Sequence, residues 1–91
     1  MYAVVARITI DPSRGDEAEE ALHHAVVPMS KAAVGFISGT WARGLDGISG
    51  CSIEVFDTEA NARAFAEAAV VPPGAPVALD SVEIMEVTAT A

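Results

Sequence analysis

The chain has 91 residues, five Lys and Arg against thirteen Asp and Glu, and a formal net charge of −8. A domain of that size buries only about 60–65% of the surface its unfolded chain exposes, so a second subunit is expected to complete the core. The acidic balance repels phosphate backbones and anionic headgroups, which argues against nucleic acid and membrane surfaces as partners.

No apolar run approaches the roughly 18 residues of a membrane span. The N-terminus enters an alternating strand without a basic region followed by an apolar block, so a cytoplasmic protein is expected. The lone Cys51 has no internal disulfide partner and sits in an apolar strand, where a small buried hydrophobe is its expected role.

In chain order, Tyr2 to Ile10 alternates β-branched and small residues. Tyr2, Val4, Ala6, Ile8 and Ile10 fall on one face, with Ala3, Val5, Arg7 and Thr9 on the other, as in a central strand. Asp11-Pro12-Ser13 breaks it. The acidic group Asp16, Glu17, Glu19, Glu20 then suits the positive end of a helix dipole, so a helix begins between Ser13 and Asp16. Its apolar positions keep helical spacing through Pro28 to Ala33, which predicts a kink at Pro28 with a broken helix as the alternative.

Gly35 to Asp57 reads as two strands folded back on each other around Leu45-Asp46-Gly47, whose Asp-Gly pair tolerates a tight turn. Asp57 or Thr58 then caps a second, alanine-rich helix with Ala62, Phe65, Ala66 and Ala69 as its buried stripe. Val71 to Pro76 carries three prolines and predicts an extended, stiff connector. Ser81 to Thr90 resumes the period of two as a last strand.

This order of strand, helix, strand, strand, helix, strand is the split βαβ arrangement of a ferredoxin-like α+β fold, with both helices on one face of a four-stranded antiparallel sheet. The strands are apolar on both faces, so the helix-free face predicts a homodimer in which two sheets enclose a shared barrel.

Gly35-Phe36, Trp41, Asp46-Gly47 and the run Val55-Phe56-Asp57-Thr58-Glu59-Ala60 resemble the dimeric α+β barrel superfamily, and within it the antibiotic-biosynthesis-monooxygenase-like group. That resemblance spans nearly the whole chain and implies the fold and the dimer. It also implies a range of activities: cofactor-free monooxygenases acting on polyketide-type aromatics, haem-degrading enzymes, lactone isomerases, and members without known activity. The haem-degrading branch uses an Asn on the first strand and a His on the second helix. Neither is present in Tyr2–Ile10 or Thr58–Val70, so haem degradation does not carry over.

No HExxH, glycine-rich phosphate loop, cysteine pair or GxSxG elbow occurs, so neither a metal nor a cofactor is expected. His23 and His24 point about 100° apart on a helix. With Glu19 and Glu20 four residues earlier they form a weak metal site at most, and a solvated face is the expected role.

Hairpin parity places Trp41, Ser52 and Glu54 on one face and Phe36, Ser38, Thr40, Cys51, Ile53 and Val55 on the other. The second set is the more apolar in its strand and is expected to meet the helices. Trp41, Ser52 and Glu54 would then face the barrel interior together with Arg7, as an aromatic ring, a cation and a carboxylate around a small organic ligand. The competing structural reading has Trp41 covering Gly50, and Arg7 with Glu54 as an ion pair between strands or across the dimer.

Two functions follow. One is a cofactor-independent, monooxygenase-like enzyme holding a hydrophobic or aromatic substrate, with Glu54 as the candidate catalytic base. The other is a non-catalytic dimeric binding or stress-related domain. A cavity of roughly 300 Å³ or more favours the first.

Overall fold

The structure, a computed structural model, describes residues 1–91. The elements are β1 (Tyr2–Ile10), a 3-10 turn Pro12–Arg14, α1 (Gly15–Ala21), a π-helical turn Leu22–Val26, α2 (Val27–Ala32), β2 (Phe36–Arg43), β3 (Ser49–Phe56), α3 (Glu59–Ala68) and β4 (Val77–Glu86). The sheet order is β2-β3-β1-β4, with every neighbouring pair antiparallel. This is the ferredoxin-like α+β arrangement, with β1 central as its composition implies.

The core sits where α3 lies on the sheet. Val4, Phe56, Ala62 and Phe65 are buried together, with Tyr2, Phe36, Ala66 and Ile84 packed around them. Phe36 meets Phe56 edge-on at 6.0 Å, and Phe56 stacks obliquely on Phe65 at 5.0 Å. Alanine at position 62, fully buried, lets the α3 backbone approach the sheet closely. The Thr58 hydroxyl accepts from Asn61 N at 3.1 Å and starts the helix.

α1, the π turn and α2 form one rod that continues through Pro28. Proline has no N–H for the His24 carbonyl and its ring crowds that carbonyl. The rod absorbs this one turn earlier: Val27 N–H bonds to Leu22 O, five residues back, and the turn widens. The distortion expected at Pro28 therefore falls at Leu22–Val26, and the helix does not break.

The hairpin turn is held by Asp46, whose Oδ1 accepts from Ile48 N at 2.9 Å and Ser49 N at 3.0 Å. These amides keep the Asp46 carboxyl below its ordinary range. Gly47 supplies the positive φ of 75°.

Two expectations are corrected. β4 runs from Val77 to Glu86 instead of from Ser81 to Thr90, because Val77, Ala78 and Leu79 pair with Ile10, Thr9 and Ile8 beyond a bulge. The residue left over by that bulge, Asp80, accepts from Thr9 Oγ1 at 2.7 Å. The proline connector is not extended throughout, since it turns at Gly74 (φ 81°) with Ala75 N bonded to Pro72 O at 3.2 Å.

Candidate functional site

Residues directly opposite each other in an antiparallel pair share a face. β1 sets Val4 against Glu54, Ala6 against Ser52 and Ile8 against Gly50, and β2 sets Gly39 against Glu54 and Trp41 against Ser52. Val4 lies in the core beneath α3. Trp41, Ser52 and Glu54 therefore face the helices, and the expectation that they face away from them is corrected.

Arg7 pairs with Cys51 and Ser81, so it stands on the helix-free face with Val5, Ile53 and Val55. It is exposed and takes part in none of the four salt bridges of the chain. The expected meeting of Arg7 with Glu54 does not occur, either as a ligand site or as an ion pair within the subunit. Phe36 also changes sides. A bulge between Phe36 and Ser38 takes up Ile37 and turns the Phe36 ring toward Phe56, while Ser38 and Thr40 keep the outer face.

Between the sheet and the α1–α2 rod lies a cavity of about 620 Å³. Its floor is Val4, Ala6, Ile8, Trp41, Ser52 and Glu54; Leu22, Ala25, Val26 and Met29 form its roof. The connector closes one side with Val71, Pro72 and Pro76. The rod stands off the sheet here, which leaves Ala21, Ala25 and Met29 exposed although helical spacing assigns them to a core. The volume is in the range of small-molecule sites.

Glycines shape the floor. A Cβ at Gly39 would come within 2.5 Å of Trp41 Cη2 and 2.9 Å of Cζ3, so the indole lies across the bare backbone at the position opposite Glu54. Trp41 covers Gly39 and not Gly50; the Ile8 side chain covers Gly50. Glu54 is thus walled by Val4 on β1 and by Gly39 with its indole cover on β2. Only 4% of its surface is exposed. Burial pushes the Glu54 carboxyl above its ordinary value, and the Ser52 hydroxyl acts weakly in the opposite direction.

At the other end of the cavity, Arg43 Nη2 donates to Glu19 Oε2 at 3.0 Å, and Glu19 Oε1 meets His23 Nε2 at 3.1 Å. The Glu19–His23 spacing was visible in the sequence as a solvated face. The tie to Arg43, 24 residues away, was not. No group of three or more His, Cys, Asp or Glu side chains is gathered at metal-ligand spacing.

An antiparallel β2-β3-β1-β4 sheet with helices on one face is a ferredoxin-like α+β fold, and solved structures share it. HapK from Hahella chejuensis superposes with a TM-score of 0.72 at 9% identity, over 100% of this chain and 96% of that one. SnoaB, a cofactor-independent oxygenase from Streptomyces nogalater, gives 0.64 at 16% identity over 98% and 94%. A monooxygenase from the gene ActVA-Orf6 of Streptomyces coelicolor, in complex with nanaomycin D, gives 0.65 at 16% identity over 99% and 89%. No family model and no curated protein matches the sequence. At these identities the shared property is the fold.

Proposed function

We propose that the protein is a homodimeric, cofactor-independent oxygenase whose cavity holds an aromatic substrate with Glu54 as the base. The observation that carries the reading is Glu54 itself: a buried carboxyl with a raised proton affinity, at the floor of an apolar cavity and beside an indole. A base poised nearer neutrality than an ordinary carboxylate is what proton abstraction from a weakly acidic C–H requires. That SnoaB, a cofactor-independent oxygenase, and the ActVA-Orf6 monooxygenase share the fold supports this reading.

In this mechanism Glu54 takes a proton from an activated methylene of the substrate, and the electron pair is delocalised into the aromatic system. The Trp41 indole provides a flat surface for the ring and, through Nε1–H, a donor for the developing oxyanion. Dioxygen accepts one electron from the carbanion, the resulting radicals combine to a peroxide anion, the proton held by Glu54 returns to it as a hydroperoxide, and loss of water leaves a ketone and the Glu54 carboxylate. The balance is CH₂ + O₂ → C=O + H₂O, with the substrate supplying all the electrons. A largely apolar lining offers few groups to reprotonate the carbanion.

Oxygen uptake with anthrone- and quinol-type substrates tests the proposal. The wild type consumes oxygen above the buffer rate, and Glu54→Gln loses about 10²-fold or more, the usual worth of a general base. No uptake across such a panel overturns the oxygenase, leaving a binding domain; full activity in Glu54→Gln overturns Glu54 as the base.

A further inference from the structure

Arg43 is the one cation among the residues lining the cavity; the other charged groups there are Glu19 and Glu54. It occupies the last position of β2, opposite Gly50, whereas Glu54 pairs with Gly39, four residues back along the same strand. At about 3.3 Å per residue the two positions stand roughly 13 Å apart along the sheet. The floor thus carries a carboxyl at one position and a cation about 13 Å away, with Trp41 and Ser52 between them.

The Arg43 guanidinium reaches across the mouth from β2 to α1, passing beside Gly15 to its bond with Glu19. A guanidinium carries five N–H donors, and this is the one hydrogen bond its side chain makes, so donors remain for a second acceptor. Glu19 is placed differently. Its other oxygen already meets His23, so it can release Arg43 and keep a partner. Arg43 has no alternative partner within the chain.

We propose that Arg43 determines ligand specificity, selecting elongated apolar molecules that carry a carboxylate or phenolate at the end remote from Glu54, and that this anion takes the place of Glu19 on the guanidinium. The inference rests on the reading of the cavity as a ligand pocket, and not on turnover. A chain of net charge −8 repels anions in general, so an anionic ligand needs a local cation, and Arg43 alone supplies one here. Its planar fork matches a carboxylate in two parallel bonds. A cationic ligand gains less at the far end, because burial holds Glu54 toward its uncharged form.

Quenching of Trp41, the single tryptophan, reads binding directly. Anthraquinone-2-carboxylate and anthraquinone-2-carboxamide serve as an anionic and a neutral probe of one shape. The carboxylate binds the wild type about tenfold tighter than the carboxamide at low salt, the order expected of a charge-assisted hydrogen-bonded pair. That ratio falls to about one in Arg43→Gln and is partly restored in Arg43→Lys. In Glu19→Gln it rises severalfold, because the internal competitor is gone. A wild-type ratio near one, or a ratio unchanged in Arg43→Gln, overturns the assignment. Failure of both probes to bind overturns the pocket reading with it. Selective binding without oxygen uptake upholds Arg43 and overturns only the oxygenase.

Discussion

Glu54 is a carboxyl group that folding moves from water to a site walled by Val4, Gly39 and the Trp41 ring. Its proton affinity is higher in the folded chain than in the unfolded one. Between the ordinary carboxylate pKa and the raised one, the folded state therefore binds more protons than the unfolded state, and stability falls as pH rises through that window. The contribution is full below the unfolded value and gone above the folded one. Glu54→Gln has no carboxyl to ionise, so it removes this pH dependence together with the penalty for burying the charged form at higher pH. The variant gains stability relative to the wild type near neutral pH, and the gap closes as pH drops below about 4, the unfolded value; urea midpoints at pH 4 and 7 measure this. Parallel pH profiles for the two proteins would show that Glu54 is not held toward its neutral form. Gly39 has a separate task on the same floor. Any Cβ there drives into the indole, so Gly39→Ala costs about 1–3 kcal/mol and turns Trp41 out of place. A changed emission maximum together with a lowered melting temperature is the expected result, and an unchanged spectrum would mean the indole does not lie on that backbone.

At the scale of elements, helix starts and strand parity were legible because short-range chemistry sets them. Thr58 caps α3 as its position before an alanine-rich helical pattern implies. Thr58→Ala leaves the Asn61 N–H without its partner, which costs about 1 kcal/mol and lowers the melting temperature by roughly 4–8 °C in a domain of this size. A shift under a degree would mean the cap is replaced by solvent. The parity of Trp41, Ser52 and Glu54 also follows from the sequence, but which way they face does not. The usual rule sends the more apolar set, Cys51, Ile53 and Val55, toward the helices. Here the rod stands off the sheet over a cavity, so the helix-facing floor tolerates a serine and a carboxyl, while the outer face keeps the more apolar row. That one inversion puts Glu54 on the helix side and leaves Arg7 on the other face of the sheet. The bulges at Ile37 and Asp80 and the widened turn before Pro28 each insert or rotate one residue, and a fixed period of two or 3.6 carries no signal for them. The link between Glu19 and Arg43 depends on how far the rod leans, which is a property of packing and not of spacing.

For the whole molecule the deciding fact is how little it buries. Only nine of 91 residues are buried, and six of those are hydrophobic. The helix-free sheet face presents Val5, Ile53, Val55 and Met85 in adjacent rows, with Ile53 45% and Met85 46% exposed. An open apolar face on so thin a core is unfavourable in water, and a second copy of the same face is its simplest cover, since a two-fold axis makes the patch self-complementary. The charges on that face suit this arrangement. Arg7 is unpaired within the chain, and Glu83 lies diagonally across from it on β4, so two-fold packing can set each Arg7 against the carboxylate of the facing subunit. Sedimentation equilibrium at micromolar concentration should therefore give twice the 9.4 kDa chain mass. Ile53→Asp puts an unpaired charge at the centre of the patch, which costs several kcal/mol in a buried interface and nothing comparable on an open surface. The variant should sediment as a monomer or unfold, and Val5→Asp should do the same. A wild type that stays monomeric at these concentrations, with both variants as stable as the parent, would show that the apolar rows face water and that the chain is stable on its nine buried residues alone.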